Sequence, residues 1–336
     1  MPALSRRETE VVVNAAALAP SVLNVQPWRF VADGDAIELH KDLERSLPHS
    51  DPDGRSLTVS CGAALLNLRL AIVAAGRRPE VSLLPDEAHP SLLARVVVGA
   101  AQAPSRAESR LHAAIVSRRT SRVPYVDEPI APEVVLELEN VADVEGATLR
   151  VLDAYELADI GKLVRDADFA ERFNADLRAE VLAWTQRGPD AVDGIPAGSF
   201  GPAPNDLSSL VRDFAMGLPV EGRAQAEFER DPTLAVLLTD GDERRDWLLA
   251  GQALERVWLE ATAAGLAVSL LMQPLELAET RWLARPPRAG AVRTPSEPGS
   301  APRRPYWPQA LLRIGVGMQQ TPPTPRRPLS DILTVA

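Results

Sequence analysis

Apolar positions along this chain repeat with two periods, one near that of a helix and one near that of a strand, and their succession predicts an α+β protein. Segment 6–18 has helical spacing and stops at Pro20. Residues 28–32 and 36–40 alternate and predict a hairpin around Asp33-Gly34. Segment 57–75 predicts a strong helix, with Leu57, Cys61, Ala64, Leu65, Leu68, Ile72 and Ala75 on one stripe and Gly76 as its stop. Short strands follow near 81–84 and 94–99. Helices are expected at 106–117 and 132–142, a strand near 148–152, and one long helix at 155–187. Residues 188–206 are rich in Gly, Pro and Asp and read as a loop or lid, which buries little surface and should dock weakly. A strand at 234–239, a helix at 246–264 and a strand at 267–271 come next. Residues 285–308 read as an exposed Pro/Arg-rich loop, before a last strand at 310–316 and a proline-rich C-terminal segment.

One stretch recurs. Gly62-Ala-Ala-Leu-Leu-Asn-Leu-Arg-Leu-Ala-Ile-Val-Ala-Ala-Gly76 aligns with Gly251-Gln-Ala-Leu-Glu-Arg-Val-Trp-Leu-Glu-Ala-Thr-Ala-Ala-Gly265, and about half the positions agree, both terminal glycines included. Each copy is followed by Val-Ser-Leu-Leu, at 81–84 and 268–271, and then by a strand of similar type. Chance agreement between Ala/Leu-rich helices explains one such match far better than it explains three in order. The order implies a duplicated unit, with halves at 1–105 and 106–336 packed about a pseudo-two-fold axis.

Composition narrows the function. The chain of 336 residues has 46% hydrophobic and 24% charged residues, which fits a globular protein. No apolar run in the sequence suggests a membrane span and the N-terminus has no signal-peptide pattern, so the expected location is cytoplasmic. A net charge of -10 argues against nonspecific nucleic-acid or membrane binding. Lysine occurs only at Lys41 and Lys162, so an anion site here is built from arginine forks. Cys61 is the single cysteine, expected in the core, and His40, His49, His89 and His112 have no metal-ligand spacing. Asp51-Pro52-Asp53-Gly54 lacks the closing Glu of a calcium loop and reads as a surface turn. Gly315-Val316-Gly317 is followed by prolines where a dinucleotide-binding helix would start.

Two clusters carry candidate chemistry. Ser117-Arg118-Arg119-Thr120-Ser121-Arg122 places three guanidiniums and three hydroxyls together, suited to a phosphate dianion or, alternatively, to a solvated helix end. Pro20-Ser21-Val22-Leu23-Asn24-Val25-Gln26-Pro27-Trp28 sets polar side chains among apolar ones between rigid prolines; it is either an aimed polar turn or a helix-to-strand connection anchored by a tryptophan. Gln273-Pro274-Leu275-Glu276 and Pro325-Arg326-Arg327-Pro328 are unspecific alone.

Taken together, these segments resemble the flavin-dependent nitroreductase family, closest to its Acg-like branch, in which two nitroreductase-like units share one polypeptide. Arg118-Arg119-Thr120-Ser121-Arg122 is similar to the family's phosphate motif, and Pro20 to Trp28 to its Pro-Ser-x-x-Asn-x-Gln-Pro-Trp motif. Gly265-Leu266-Ala267 with Gln273-Pro274 is similar to the turn beside the flavin ring, and Arg326-Arg327 to a basic C-terminal element. The resemblance implies a nitroreductase-like fold of two fused units, each a mostly antiparallel sheet packed with helices. It implies FMN held by Arg118, Arg119, Thr120, Ser121, Arg122, Pro20, Ser21, Val22, Asn24, Gln26, Gln273, Pro274, Leu275, Arg326 and Arg327.

Each half-motif occurs once, in opposite halves. Ser5-Arg6-Arg7-Glu8-Thr9 looks like a degraded phosphate motif, with Glu8 where a phosphate would be repelled. One complete flavin site per chain is therefore expected, in a monomeric pseudo-dimer or a homodimer. The expected activity is two-electron reduction of a small acceptor, a nitro compound or quinone, with NAD(P)H as donor. The alternative is a flavin-sequestering protein closed by a lid at about 188–230, and a third is a flavin-free structural protein. No catalytic acid or base stands out.

Overall fold

In the computed structural model, residues 4–188, 190–206, 209–284, 306–317 and 321–336 are described. The elements run α1 (Arg6–Ala17), β1 (Trp28–Asp33), β2 (Ala36–Lys41), α2 (Arg55–Ala74), β3 (Arg77–Leu83), β4 (Leu92–Ala101), α3 (Arg106–Ala114), α4 (Pro132–Asp143), β5 (Thr148–Val151), α5 (Ala154–Phe173) and α6 (Ala175–Thr185). They continue with β6 (Ala203–Pro204), β7 (Gln225–Ala226), β8 (Thr233–Thr239), α7 (Arg244–Ala263), β9 (Ala267–Leu270), α8 (Gln273–Glu276), α9 (Ala278–Leu283), β10 (Trp307–Gly315), α10 (Leu329–Ile332) and β11 (Leu333–Val335). The expected loop at 285–308 lies outside the described residues except for its end, where β10 has already begun.

Two main sheets form, ordered β11-β1-β2-β4-β3 and β5-β8-β10-β9. Without β11 they share one plan. In each, four antiparallel strands occur in the order first, second, fourth, third, and a long helix joins the second strand to the third. In the first sheet β1 alternates because one face packs on helices, whereas β8 and β10 are buried nearly throughout because α5 and α8 cover the other face of the second sheet with Ile160, Val164 and Leu275. Val12, Val13, Phe30, Leu39, Leu65, Leu68 and Val96 fill the core between the first sheet, α1 and α2. Leu138, Leu149, Leu237, Val257, Trp258 and Leu312 fill the core between the second sheet, α4 and α7.

The repeated glycines explain how the two plans join. A Cβ on Gly62 would meet the Leu248 carbonyl at 2.4 Å and Gly251 Cα at 2.9 Å; one on Gly251 would meet the Val59 carbonyl at 2.0 Å and Gly62 Cα at 2.8 Å. Leu248 and Val59 each stand three residues before their glycine, so the contact is reciprocal, as a two-fold interface requires. Leu248 enters the first core and Val59 the second. The helices cross with backbones touching, which only glycine allows. Gly76 and Gly265 end the two helices with φ of +77° and +78°, the left-handed stop available to glycine at little cost.

Several expectations change. The run at 155–187 is two helices, because Asn174 leaves the helical region and its Oδ1 accepts from the N–H groups of Asp176 and Leu177, capping α6. Helix α2 is long and apolar enough to pass for a membrane span, with mean hydropathy 1.8, but 89% of that window is buried inside the protein. Asp51, expected as a plain surface turn, is buried and accepts from the N–H groups of Ser56 and Leu57 at the start of α2. Ser5-Arg6-Arg7-Glu8 is a helix start: Ser5 and Glu8 form a capping box on α1. Helix α1 packs on α2 as α4 packs on α7. The topological counterpart of Ser5–Glu8 is therefore the start of α4, and the arginine cluster after α3 has no counterpart among the described residues of the first half.

The two halves differ most between their first two strands. In the first half Gly34-Asp35 make the whole connection; in the second, residues 152–232 intervene. That insertion does not dock weakly. Ile195, Phe200, Phe214, Ala215 and Met216 are buried with Leu23, Val25, Leu47, Leu57 and Val181 in a cluster that ties it to the first half. The chain then returns: β11 adds parallel to β1 of the first sheet.

Candidate functional site

The cavity forms where these pieces meet, and it holds about 1250 Å³ including its mouth. The segment after α1 supplies Pro20, Ser21, Val22 and Asn24; the segment after α3 supplies Arg118, Arg119, Thr120 and Arg122. The central helices contribute Ser56 and Ser60 from α2, and Leu254 and Trp258 from α7. The insertion supplies Ile195, Ser199, Arg212 and Phe214, and the C-terminal segment supplies Pro322, Thr324 and Arg326.

The turn from Pro20 to Pro27 holds an unusual backbone. Leu23, Asn24 and Gln26 have φ of 46°, 54° and 52°, left-handed values that cost non-glycine residues about 1 kcal/mol or more each. Local bonds offset that cost. Ser21 Oγ accepts from Gln26 N at 3.0 Å, and Ser60 Oγ accepts from Val22 N at 3.1 Å. Asn24 Nδ2 donates to the carbonyls of Gly194 at 2.8 Å and Pro325 at 3.1 Å, while its Oδ1 accepts from Arg326. Gln26 Nε2 donates to the Val192 carbonyl at 2.9 Å, and its Oε1 accepts from Arg327 N at 2.8 Å. Asn24 and Gln26 thus staple the insertion and the C-terminal segment to the first half.

The arginine segment runs extended beside β9, with Ser121 N donating to the Val268 carbonyl at 2.9 Å. Arg118 is buried, its Nη2 on the Leu18 carbonyl at 3.1 Å and its guanidinium 4.8 Å from the Trp258 ring. Its Nε and Nη1 have no hydrogen-bond partner, and neither does Ser121 Oγ. Arg122 donates to the Ser199 carbonyl at 2.9 Å and lies over one face of Phe214, with Arg212 over the same ring at 5.0 Å. Burial pushes Arg122 down to about 10, and Arg212 beside it pushes the same way. Arg212 is bound to Glu171 and to Glu276, the latter at 3.0 Å. Burial, then the charge of Arg118, pushes Arg326 down to about 9. Cations crowded beyond their counter-charges, some with unused donors, make a cavity suited to an anion.

Other expected residues stand elsewhere. Gln26, Ser121, Gln273, Pro274, Leu275 and Arg327 do not line the cavity. Ser121 and Gln273 are buried beside it, and both polar atoms of the Gln273 amide lack a partner. Pro274 and Leu275 are buried in α8, behind Met272, which does reach the cavity. Arg327 donates to the Gln26 carbonyl and to Asp42, at 3.1 and 3.3 Å. Arg326 lines the cavity, but its donors are taken by the carbonyls of Ala17, Leu18 and Ala19, by Asn24 and by Thr324, so it caps α1. Sequence reasoning missed Ser56 and Ser60, hydroxyls one turn apart at the polar start of α2, and that spacing is the signal that would have found them. It also missed Arg212 and Phe214, which follow no periodicity.

No protein-family model matches the chain. It is 30% identical over 334 residues, 97% of its length and 96% of the other's, to the Mycobacterium tuberculosis protein named "Putative NAD(P)H nitroreductase acg". A second protein of that organism carrying the same activity in its name is 32% identical over 327 residues, 96% of this chain and 90% of the other. A solved nitroreductase with bound FMN from Bacteroides fragilis covers 67% of this chain and 98% of its own length, at 13% identity and a TM-score of 0.38.

Proposed function

This chain belongs to the nitroreductase family, and from that premise we propose that it is two fused nitroreductase-like units holding one FMN between them, acting as an FMN-dependent oxidoreductase. The observation that carries the reading is that the half-motif after α1 and the half-motif after α3, nearly a hundred residues apart in sequence by their numbering, line one cavity. The shared strand plan and the reciprocal glycine contact support the fusion, with units near 1–105 and 106–336.

The residues present fit the cofactor. Arg118 offers two buried donors without hydrogen-bond partners, one of them facing Glu255 at 3.5 Å, and Ser121 Oγ is a third such group nearby. With Arg119, Thr120 and Arg122 they would hold the phosphate. Pro20, Ser21 and Val22 would flank the ring and its chain on one side, and Met272, which precedes the buried Gln273, on the other. Gln26, Asn24, Arg326 and Arg327 would act indirectly by fixing the turn and the C-terminal segment. FMN, when bound, supplies two-electron chemistry, taking electrons from a donor such as NAD(P)H and passing them to a small nitro compound or quinone. The chain's part is to bind the phosphate, fix the ring and shield the site from water. Stopped-flow absorbance of the FMN-loaded protein mixed with NADPH or NADH, followed by menadione or nitrofurazone, tests the reading. Fast reduction and reoxidation are expected; a flavin inert to both donors would remove the reductase assignment.

One observation favours the second reading, flavin sequestration. The insertion is packed over the cavity by an apolar cluster and by the Arg122–Phe214–Arg212 contacts. A protein of that kind would keep FMN yet be reduced slowly until the insertion opened.

A further inference from the structure

A carboxylate stands among the cavity's arginines where helix packing does not call for one. Glu255 is wholly buried in α7, with Oε1 3.5 Å from Arg118 Nε. Neither of its oxygens has a hydrogen-bond partner. In the internal repeat, position 255 answers to Leu66, which is buried in α2. The pseudo-symmetric environment thus accepts an aliphatic side chain, and the carboxylate occurs in the half that carries the arginine segment.

Few charges face it. Arg118 comes from the segment after α3, Arg326 from the C-terminal segment, and the amide of Asn67 from α2. Arg69 and Arg256 on the packed helices bind Glu145, and Arg110 binds Glu260. On α3 the imidazole of His112 is held toward its neutral form by burial.

We propose that Glu255 is a positioning residue that holds the Arg118 guanidinium ready for a phosphate dianion, and that it takes up one proton from solvent when that dianion binds. The proposal rests on the FMN reading and adds a charge-balancing step to it. Burial pushes the Glu255 carboxyl up to about 7, while Arg118 and Arg326 oppose that rise. A dianion beside those arginines cancels the field that keeps Glu255 ionised, so its proton affinity rises further on binding. A complex that has taken up a proton weakens as pH rises.

The test uses the full chain freed of flavin, titrated calorimetrically with FMN between pH 7 and 8.5 in two buffers of different ionisation enthalpy. The second ionisation of a phosphate ester lies near 6, so the ligand is already a dianion there and does not itself create the slope. Riboflavin, which lacks the phosphate, is the control. Wild type should take up a substantial fraction of a proton with FMN and none with riboflavin, and its FMN affinity should fall by roughly tenfold across the range. Glu255→Gln should bind FMN with no uptake and a flat profile. A pH-independent FMN affinity in wild type, or the same slope in Glu255→Gln, overturns the proposal. If Glu255→Gln does not fold, the difference between FMN and riboflavin in wild type decides. Failure of wild type to bind FMN at any pH would overturn the cofactor reading itself, an outcome distinct from FMN binding without proton uptake.

Discussion

The first half joins its first two strands with Gly34-Asp35, and the second half joins its own with residues 152–232, although the sheets share one plan. The short connection leaves the first half a plain hairpin that donates one motif. The long one builds α5, α6 and a docked segment that puts Ile195, Ser199, Arg212 and Phe214 against the cavity. On the proposed fusion of two units, the contrast marks where the fold keeps its symmetry and where it gives it up. Backbone contact at the axis is conserved between the copies, because Gly62 and Gly251 leave no room for change. The connections at the rim are free to diverge, and the asymmetric site is made there.

The largest effect should come from breaking the symmetric part. Gly251→Ala would drive a Cβ into the Val59 carbonyl, and about 3 kcal/mol of stability should be lost. Gly76→Ala meets nothing within 4 Å but keeps a left-handed φ, and should cost about 1 kcal/mol. Urea unfolding of both variants checks the order; equal losses would mean that the axis contact is not the tighter constraint.

Breaking the asymmetric part should leave the fold and alter the ligand. Arg118→Ala should weaken FMN binding by about 1.5–3 kcal/mol, roughly ten- to a hundredfold. Arg6→Ala, exposed at the capped start of α1, should leave it unchanged. Fluorescence titration of the two variants distinguishes them, and the reverse result would place the phosphate at the wrong end of the chain.

Phe214→Ala sharpens the comparison further. It removes the ring that both Arg122 and Arg212 lie over, and part of the cluster that docks the insertion. Flavin should be released several-fold faster while reduction by NADPH speeds up, read by stopped flow. Slower reduction with unchanged release would mean that the insertion assists turnover instead of restraining it.

The smallest expected effect is on pH. Burial pushes Glu255 and Glu276 up to about 7, above the ordinary glutamate value of 4.5. Folded-state pKa values above the unfolded ones contribute stability that is complete below pH 4.5 and is lost as pH rises through 7. Melting temperature of the flavin-free chain should therefore decline across that window, and Glu276→Gln should flatten the decline. A rise with pH over the same window would show that other groups outweigh these two.

Much of this architecture is legible in the sequence because it rests on local signals. Alternation brackets Asp33-Gly34, and a long stripe ends at Gly76, so the hairpin and α2 can be read directly. The glycines at 62 and 251 mark the repeat, and their meeting in space is its physical reason. The two half-motifs are legible as motifs. Their division of labour is not: Asn24 and Gln26 bond to Gly194, Val192 and the C-terminal segment, and no short-range pattern connects those positions. The break at Asn174 hides in a run with no proline and no glycine near it, the single Gly161 lying inside α5. The insertion reads as weakly docked because Ile195, Phe200, Phe214 and Met216 are scattered without period, yet all reach one cluster. β11 escapes notice because three residues pairing with a strand about three hundred positions away leave no local trace.

On the proposed reading, two unlike half-motifs, one from each half, close a single site. Counting the flavin released from the purified, denatured full-length chain tests it most directly, by fluorescence against protein concentration with the flavin identified chromatographically. One equivalent of FMN per chain is the predicted result. Two equivalents per chain would mean that both junctions carry sites and that the halves are functionally alike, and FAD in place of FMN would contradict the placement of a terminal phosphate at Arg118.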